Sequence, residues 1–278
     1  MSEVDSQDAR VAVVTGAGTG IGQAIAAKFG SLGWQVAVGG RREELLTETA
    51  TLVEQAGGTC LPHALDVTDP ESVEQFFGAT EAALGPVNVV INNAAMARYG
   101  PLDEFAPDEI YAEVATKLLG SLYMARRGIQ TMRRSNSGDI LFITSLAAVQ
   151  PWPFHLPYAA ANAGVEQAAR SLRLELEGSG IRVTMLRCGE TGGTDFSTKE
   201  MASGRLGDAT EYWFRRGLLR HAGLMGPEMV ADAVAAAVTL PAEYQYESFA
   251  VIPTAPVGEP PRTFEEFGAA MIERHMPS

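Results

Sequence analysis

Tyr158 opens the helical-looking stretch PYAAANAG, and a tyrosine held at a helix start is a candidate proton donor. A phenol with its ordinary pKa of about 10 exchanges protons poorly at neutral pH, so it works best with a cation nearby. A helix brings the side chain four residues on to the same face, and that position holds the uncharged Asn162. An ammonium about 4 Å away would favour the phenolate by about 4 kcal/mol at an effective dielectric near 20, but by only about 1 kcal/mol in bulk-like water. Any cation serving Tyr158 must therefore be close, partly shielded, and delivered by another element. Ser145 closes the strand-like run GDILFITS, where its hydroxyl can hydrogen-bond a carbonyl oxygen as charge develops on it.

A second set of residues points to binding. The β-branched run VAVVT leads into TGAGTGIG, which places Gly16, Gly20 and Gly22 between a buried strand and a helix. Gly16 allows a tight turn, Gly20 lets backbone approach a pyrophosphate, and Gly22 lets the helix pack close to the sheet. The helix start then offers free N–H groups and a partial positive charge to phosphates. The next strand ends in GGRREE, with Arg41 and Arg42 and no acid before Glu43. An acid there would meet a ribose 2′-hydroxyl, whereas a guanidinium grips a 2′-phosphate, so NADP(H) is expected over NAD. Asp66 in ALDV can either meet the adenine edge or cap the following helix.

The elements needed to hold these residues are legible along the chain. Apolar runs at VAVVT, QVAVGG, TCLPHALDV, VNVVINNAA, GDILFITS, IRVTMLRCG and FAVIP alternate with helical patterns. The helices are GIGQAIAAKFGSLG, EELLTETATLVEQAGG, DPESVEQFFGATEAALG, a long one from Pro107 to about Met132, Tyr158–Glu177, and GPEMVADAVAAAVTL. Strands separated by helices predict an α/β, Rossmann-type, doubly wound parallel sheet of about seven strands with helices on both faces. One catalytic domain over 10–278 accounts for the chain, with a mobile tail at 1–9. A substrate lid is expected at about 194–225, and a C-terminal extension at about 254–278, where RTFEEFGAAMIERH forms an extra helix or packs on a neighbour.

Composition narrows the partners. The 278 residues carry a formal charge of −13 with a pI near 4.8, which disfavours nucleic acid. No apolar run is long enough to cross a bilayer, and MSEVDSQDAR lacks the apolar core of a signal peptide. A soluble cytoplasmic enzyme without a metal is expected. Cys60 and Cys188 lie far apart in apolar strand-like contexts and read as reduced packing residues.

Taken together, TGAGTGIG, NNAA (Asn92–Ala95), Ser145 followed by Tyr158, CGETGGT and GPEMVADAV resemble the short-chain dehydrogenase/reductase family over roughly residues 11–252. The resemblance implies that NADPH or NADP lies along Gly16, Thr19, Gly20, Ile21, Gly22, Arg41, Arg42, Asp66, Val67, Asn93, Ala94, Ala95, Gly189, Thr191 and Thr194. Two positions depart from the family pattern. Asn162 stands where the family usually has lysine, and Lys117, three before Gly120, stands where it usually has asparagine. This exchange resembles the ketoreductase domains of modular polyketide synthases. It implies a catalytic set of Lys117, Ser145, Tyr158 and Asn162, with Lys117 supplying the cation from a neighbouring helix.

Between Ser145 and Tyr158, LAAVQPWPFHLP holds three prolines, and Trp152 and Phe154 are placed to wall a pocket. The irregular stretch from Thr194 to Met225 carries Phe196 and Trp213 among other apolar residues, as a lid over an apolar substrate would. The expected function is an NADPH-dependent ketoreductase acting on a bulky or apolar carbonyl, in a homodimer or homotetramer. The alternatives are an NADP-dependent alcohol dehydrogenase and an NADP-binding regulatory protein without turnover.

Overall fold

The computed structural model describes residues 10–194 and 204–275. The expected tail at 1–9, and residues 195–203 of the expected lid with Phe196 among them, lie outside the described residues.

Seven parallel strands form one sheet in the order β3-β2-β1-β4-β5-β6-β7. They are β1 (Val11–Thr15), β2 (Gln35–Gly40), β3 (Thr59–Ala64), β4 (Val89–Asn92), β5 (Gly138–Ser145), β6 (Ile181–Cys188) and β7 (Ser248–Val251). Helices on both faces bury the sheet, so the central strands read as unbroken apolar runs. Alternation still operates inside them. Ala12 and Val14 join one core with Phe29 and Val234, while Val11 and Val13 join the other with Phe77 and Met124. The strand-like stretch TCLPHALDV pairs as far as Ala64, and since β3 is an edge strand Pro62 sits within it without breaking a central ladder.

Helices follow the expected segments. They are α1 (Gly20–Ser31), α2 (Glu43–Gln55), α3 (Pro70–Leu84), α4 (Pro107–Val114), α5 (Gly120–Ser135), α6 (Leu156–Glu175), α7 (Arg205–Arg215), α8 (Pro227–Val238) and α9 (Phe264–His275). The single long helix expected from Pro107 is interrupted. Residues Ala115–Leu119 form a π turn between α4 and α5, with Lys117 at its centre. The C-terminal extension contains α9, which packs on α7 of the same chain, Phe214 meeting Phe264 and Phe267 at ring distances of 6.0 and 5.2 Å. No helix among the described residues is long and apolar enough to cross a membrane.

The strand order reverses between β1 and β4, which pair in parallel with each other. In such sheets ligands bind beyond the carboxyl ends of the strands at that switch point. The glycine turn, Asn92, Ser145 and Cys188 all lie at carboxyl ends, so the topology gathers them without any contact between neighbours in sequence.

Candidate active site

The glycine turn is built around Asn93 and Thr15. Asn93 donates its side-chain amide to the carbonyls of Thr15 (2.9 Å) and Gly16 (3.2 Å), and the Thr15 hydroxyl accepts from the backbone N–H groups of Asn93 and Ala94, both at 3.0 Å. Asn93 therefore holds the turn in shape from the next strand. Gly16 and Gly20 sit at φ +63 and +57, a region that costs other residues. Helix α1 begins at Gly20 with no acid in its first turn and no side-chain cap from Thr19, so the N–H groups around Ile21 remain for an anion. By contrast, α3 is capped by Asp69 and carries Glu71.

Space at the turn is as tight as the glycine spacing demands. A Cβ on Gly22 would lie 2.4 Å from the Gly16 carbonyl and 2.6 Å from the Asn93 amide. Gly22→Ala is expected to lower stability by roughly 1–3 kcal/mol and to weaken dinucleotide binding, read by thermal melting and a fluorescence titration. Thr194 closes on the turn from the opposite side, within 3.0 Å of where a Gly20 Cβ would stand.

The end of β2 reaches the turn through Ala17 N–H donating to the Gly39 carbonyl at 3.1 Å. Arg41 and Arg42 follow immediately and are exposed. Asp66, for which two roles stood open, uses its Oδ1 locally, accepting from the Thr68 N–H (2.9 Å) and hydroxyl (2.7 Å). The Val67 side chain is core, packed under Gly120. Beyond β6, the Thr191 hydroxyl lies 3.2 Å from the Cys188 sulfur and donates to the Gly189 carbonyl at 3.1 Å. These positions form a cradle that only glycines permit, an open helix start and two guanidiniums, which together fit a dinucleotide carrying a third phosphate.

Three of the four expected catalytic residues, Ser145, Tyr158 and Asn162, interact with one another, whereas Lys117 is bonded to the β5 backbone. Ser145 ends β5 and accepts from Ala147 N–H at 3.1 Å. Tyr158 and Asn162 lie one turn apart on α6, and Glu166, a turn further, clamps that helix face to the sheet. Glu166 is buried, receives Arg187 in two hydrogen bonds of 2.7 Å and accepts from Thr144 at 3.1 Å. Asn162 is fully buried, donates to the Tyr158 carbonyl at 2.9 Å and leaves its Oδ1 without a partner among the described residues. Lys117 is 2% exposed, and its Nζ donates to the Ile143 carbonyl of β5 at 2.5 Å. Glu113, one turn earlier and fully buried, accepts from Arg98 N–H at 2.6 Å.

Electrostatics at this site depart from the simple cation picture. Burial raises the Tyr158 phenol to about 12, against hydrogen bonding to Ser145 and Asn162, with Cys188 and Glu113 adding to the rise. Burial also lowers the Lys117 ammonium to about 8, against the neighbouring Cys188 thiol. A lowered phenol pKa is thus not found: burial dominates, and Lys117 is not among the groups acting on the phenol. Lys117 is inside, and its charge is directed at the Ile143 carbonyl and Cys188. Cys188 itself is raised by burial and lowered by Thr191 and Lys117. Its place beside both groups was not visible in the sequence, since it follows from the register that sets Cys188 against Ser145.

An aromatic wall covers the site. Trp152 and Trp213 meet edge to face at 5.0 Å, Tyr99 meets Trp213 at 5.7 Å, and Phe154 meets Tyr212 at 4.9 Å. The Trp213 indole donates to the Pro153 carbonyl at 2.8 Å, tying α7 to the loop before Tyr158. Three expected pocket residues, Trp152, Phe154 and Trp213, are therefore neighbours in one cluster. Tyr99, which nothing in its sequence surroundings marked out, joins them, as does His155, which the sequence reads as a loop hydrogen-bonder and whose Nε2 has no partner among the described residues. Among the described residues no group of three or more His, Cys, Asp or Glu side chains is placed to hold a metal.

A doubly wound sheet with this turn and a Ser–Tyr pair at its carboxyl edge defines a dinucleotide-dependent oxidoreductase. The model of the short chain dehydrogenase family matches residues 10–203, and the chain belongs to that family. It is 34% identical over 236 residues to an uncharacterized oxidoreductase of Caenorhabditis elegans, covering 83% of this chain and 74% of that one. It is 32% identical over 233 residues to 3beta-hydroxysteroid dehydrogenase 1 of Eggerthella lenta, covering 83% and 87%. Among solved structures, it resembles an alcohol dehydrogenase of Thermococcus sibiricus complexed with 5-hydroxy-NADP. That match has TM-score 0.74 and 26% identity, over 90% of this chain and 99% of that one. It also resembles an actinorhodin polyketide ketoreductase variant with NADPH, with TM-score 0.78 and 28% identity, over 89% and 97%.

Proposed function

We propose that this protein is an NADPH-dependent ketoreductase for a bulky or apolar carbonyl compound. The observation that carries this reading is the Tyr158 phenol, in contact with Ser145 and Asn162, under a wall of aromatic side chains. NADP-bound relatives in structure and the Arg41–Arg42 pair after β2 support the cofactor choice. The glycine turn and α1 would hold the pyrophosphate, Arg41 and Arg42 the 2′-phosphate, and the Gly189–Thr194 loop the nicotinamide end.

When bound, NADPH supplies the hydride. Ser145 holds the substrate oxygen and disperses its developing charge. Tyr158 donates its Oη proton to that oxygen. A phenol raised to about 12 is fully protonated at neutral pH, yet far more acidic than the alcohol it forms, so the transfer runs downhill. Alcohol oxidation would need the phenolate, which is scarce at neutral pH, so the site suits reduction better than the dehydrogenase alternative. The buried Asn162, which acts on the phenol, and Lys117, held on the Ile143 carbonyl, would supply the polar groups through which a proton is replaced. An absorbance assay at the nicotinamide band with a panel of ketones tests this reading. Tight NADPH binding without turnover of any ketone or alcohol would favour a regulatory protein instead.

The cofactor assignment has its own test. Replacing both Arg41 and Arg42 with alanine is expected to weaken NADPH roughly 10- to 100-fold and leave NADH nearly unchanged, the range for losing a charged hydrogen bond. An equal loss for both cofactors would show that the arginines do not read the 2′-phosphate. The proposed homodimer or homotetramer is checked by light scattering.

A further inference from the structure

A groove lies between the end of α7 and the start of α9, and the reaction as described makes no use of it. It opens to solvent and holds about 660 Å³, within the range of about 300–1,000 Å³ that small-molecule sites occupy. None of its lining residues belongs to the catalytic set or to the aromatic wall. Two half-buried rings, Phe214 and Phe264, line it with centroids 6.0 Å apart. Pro260 and Pro261 line it as well, and their rings lose no rotamer freedom when a ligand packs against them. Three guanidiniums complete the lining. Arg215 is held by Glu211 and Arg262 by Glu259, each pair at 2.5 Å. Glu266, at the start of α9, is taken up by the backbone N–H groups of Arg262 and Thr263, at 2.7 and 3.3 Å. Arg220 is exposed and has no hydrogen bond or ion pair among the described residues. An exposed arginine alone is ordinary, but this one stands beside aromatic and proline surface on a chain of formal charge −13. The groove thus offers flat apolar contacts and one positive charge without a counter-charge. A guanidinium grips a carboxylate in a two-pronged fork. One free guanidinium suits one negative charge, and so acidic a chain repels a doubly charged anion more than a singly charged one.

We propose that this groove is a second ligand site, which takes a small aromatic carboxylate with its acid on Arg220 and its ring against Phe214 and Phe264. The site is separate from the catalytic centre and does not depend on the reductase reading. Its specificity has two parts: the ring contacts supply burial, and the fork sets the acid apart from neutral analogues of the same shape.

The test is a calorimetric titration of the full chain, with NADP in excess, against 2-naphthoate, the neutral 2-naphthamide, 2-naphthyl phosphate and acetate. The expected result is saturable binding of 2-naphthoate, with the amide weaker by about 10-fold, the lower end for losing a charged hydrogen bond. Acetate, the acid without the ring, should not saturate. Arg220→Gln should erase the advantage of the acid over the amide, while Arg216→Gln, which lies outside the groove, should keep it. Both arginines are exposed, so melting temperatures should match wild type and neither result can be put down to misfolding. Binding of 2-naphthoate that ignores Arg220→Gln would place it elsewhere, the catalytic site included, and overturn the proposal. Equal losses in the two arginine variants would mean general charge attraction and overturn it as well. So would a failure of 2-naphthoate to saturate at millimolar concentration. Tighter binding of 2-naphthyl phosphate than of 2-naphthoate would overturn the choice of a singly charged ligand. None of these outcomes touches the reductase reading, which the ketone assay decides.

Discussion

Tyr158→Phe is expected to slow ketone reduction by roughly 10²- to 10⁴-fold, the usual worth of a positioned general acid. NADPH affinity and melting temperature should stay near wild type, because the ring keeps its stacking on His155 and loses only the hydroxyl. The pH dependence gives a second signature. With the phenol raised to about 12, reduction should show no loss from this group between about pH 5 and pH 9. Oxidation of the product alcohol should climb with pH, since it draws on the phenolate, and the climb should vanish in the phenylalanine variant. More than a tenth of the wild-type reduction rate in Tyr158→Phe would rule out the tyrosine as proton donor.

Lys117→Met should separate stability from activity. Burial holds the ammonium at about 8 in the folded chain against 10.5 for a free lysine. Below about pH 8 the folded protein bears the full cost of keeping that charge out of water. As pH rises from about 8 toward 10.5, the folded chain gives up its proton while the unfolded chain keeps it, so stability rises across that window. The difference corresponds to roughly 3 kcal/mol, from which the lost bond to the Ile143 carbonyl subtracts about 1 kcal/mol. Lys117→Met, close in volume, is therefore expected to be more stable than wild type at pH 7 by roughly 2 kcal/mol and to lack the alkaline rise. Its turnover is expected to fall by about 10²-fold or more, as when a buried electrostatic group is removed from a reacting centre. Denaturant unfolding from pH 6 to 10, with steady-state kinetics on the same samples, checks both halves. Full activity in Lys117→Met would end the case for an exchanged lysine.

The frame of the molecule was readable because its physics is local. Strands buried on two faces must be apolar throughout, and helices between them must be amphipathic, so Val11–Thr15, Gln35–Gly40 and Gly138–Ser145 fall where their residues say. Ser145 and Tyr158 followed, since each marks the end or start of an element. What escaped depends on three-dimensional neighbours. The π turn at Ala115–Leu119 adds one residue to a helical period, too little to disturb an apolar pattern. Cys188, Glu113 and His155 are single residues whose surroundings come from segments far away in the chain. The Tyr158 pKa was out of reach for a related reason: the pull of a cation can be estimated for an assumed distance, whereas desolvation depends on everything packed around the group. The C-terminal segment left two placements open, and only packing could choose α7 as the surface that α9 covers.

Trp213 and Phe214 are consecutive on α7 but serve opposite sides, one against Tyr99 and Trp152 and the other against α9. His275 adds a contact of 2.9 Å to the Ala222 carbonyl, so α9 also holds the chain beyond α7. Lifting Trp213 from the site therefore strains contacts on the far side as well. The rate at which alcohol leaves would then be governed by how firmly the outer helix is seated. Loosening α9 would show in steady-state kcat, while a single-turnover burst of nicotinamide oxidation kept its speed.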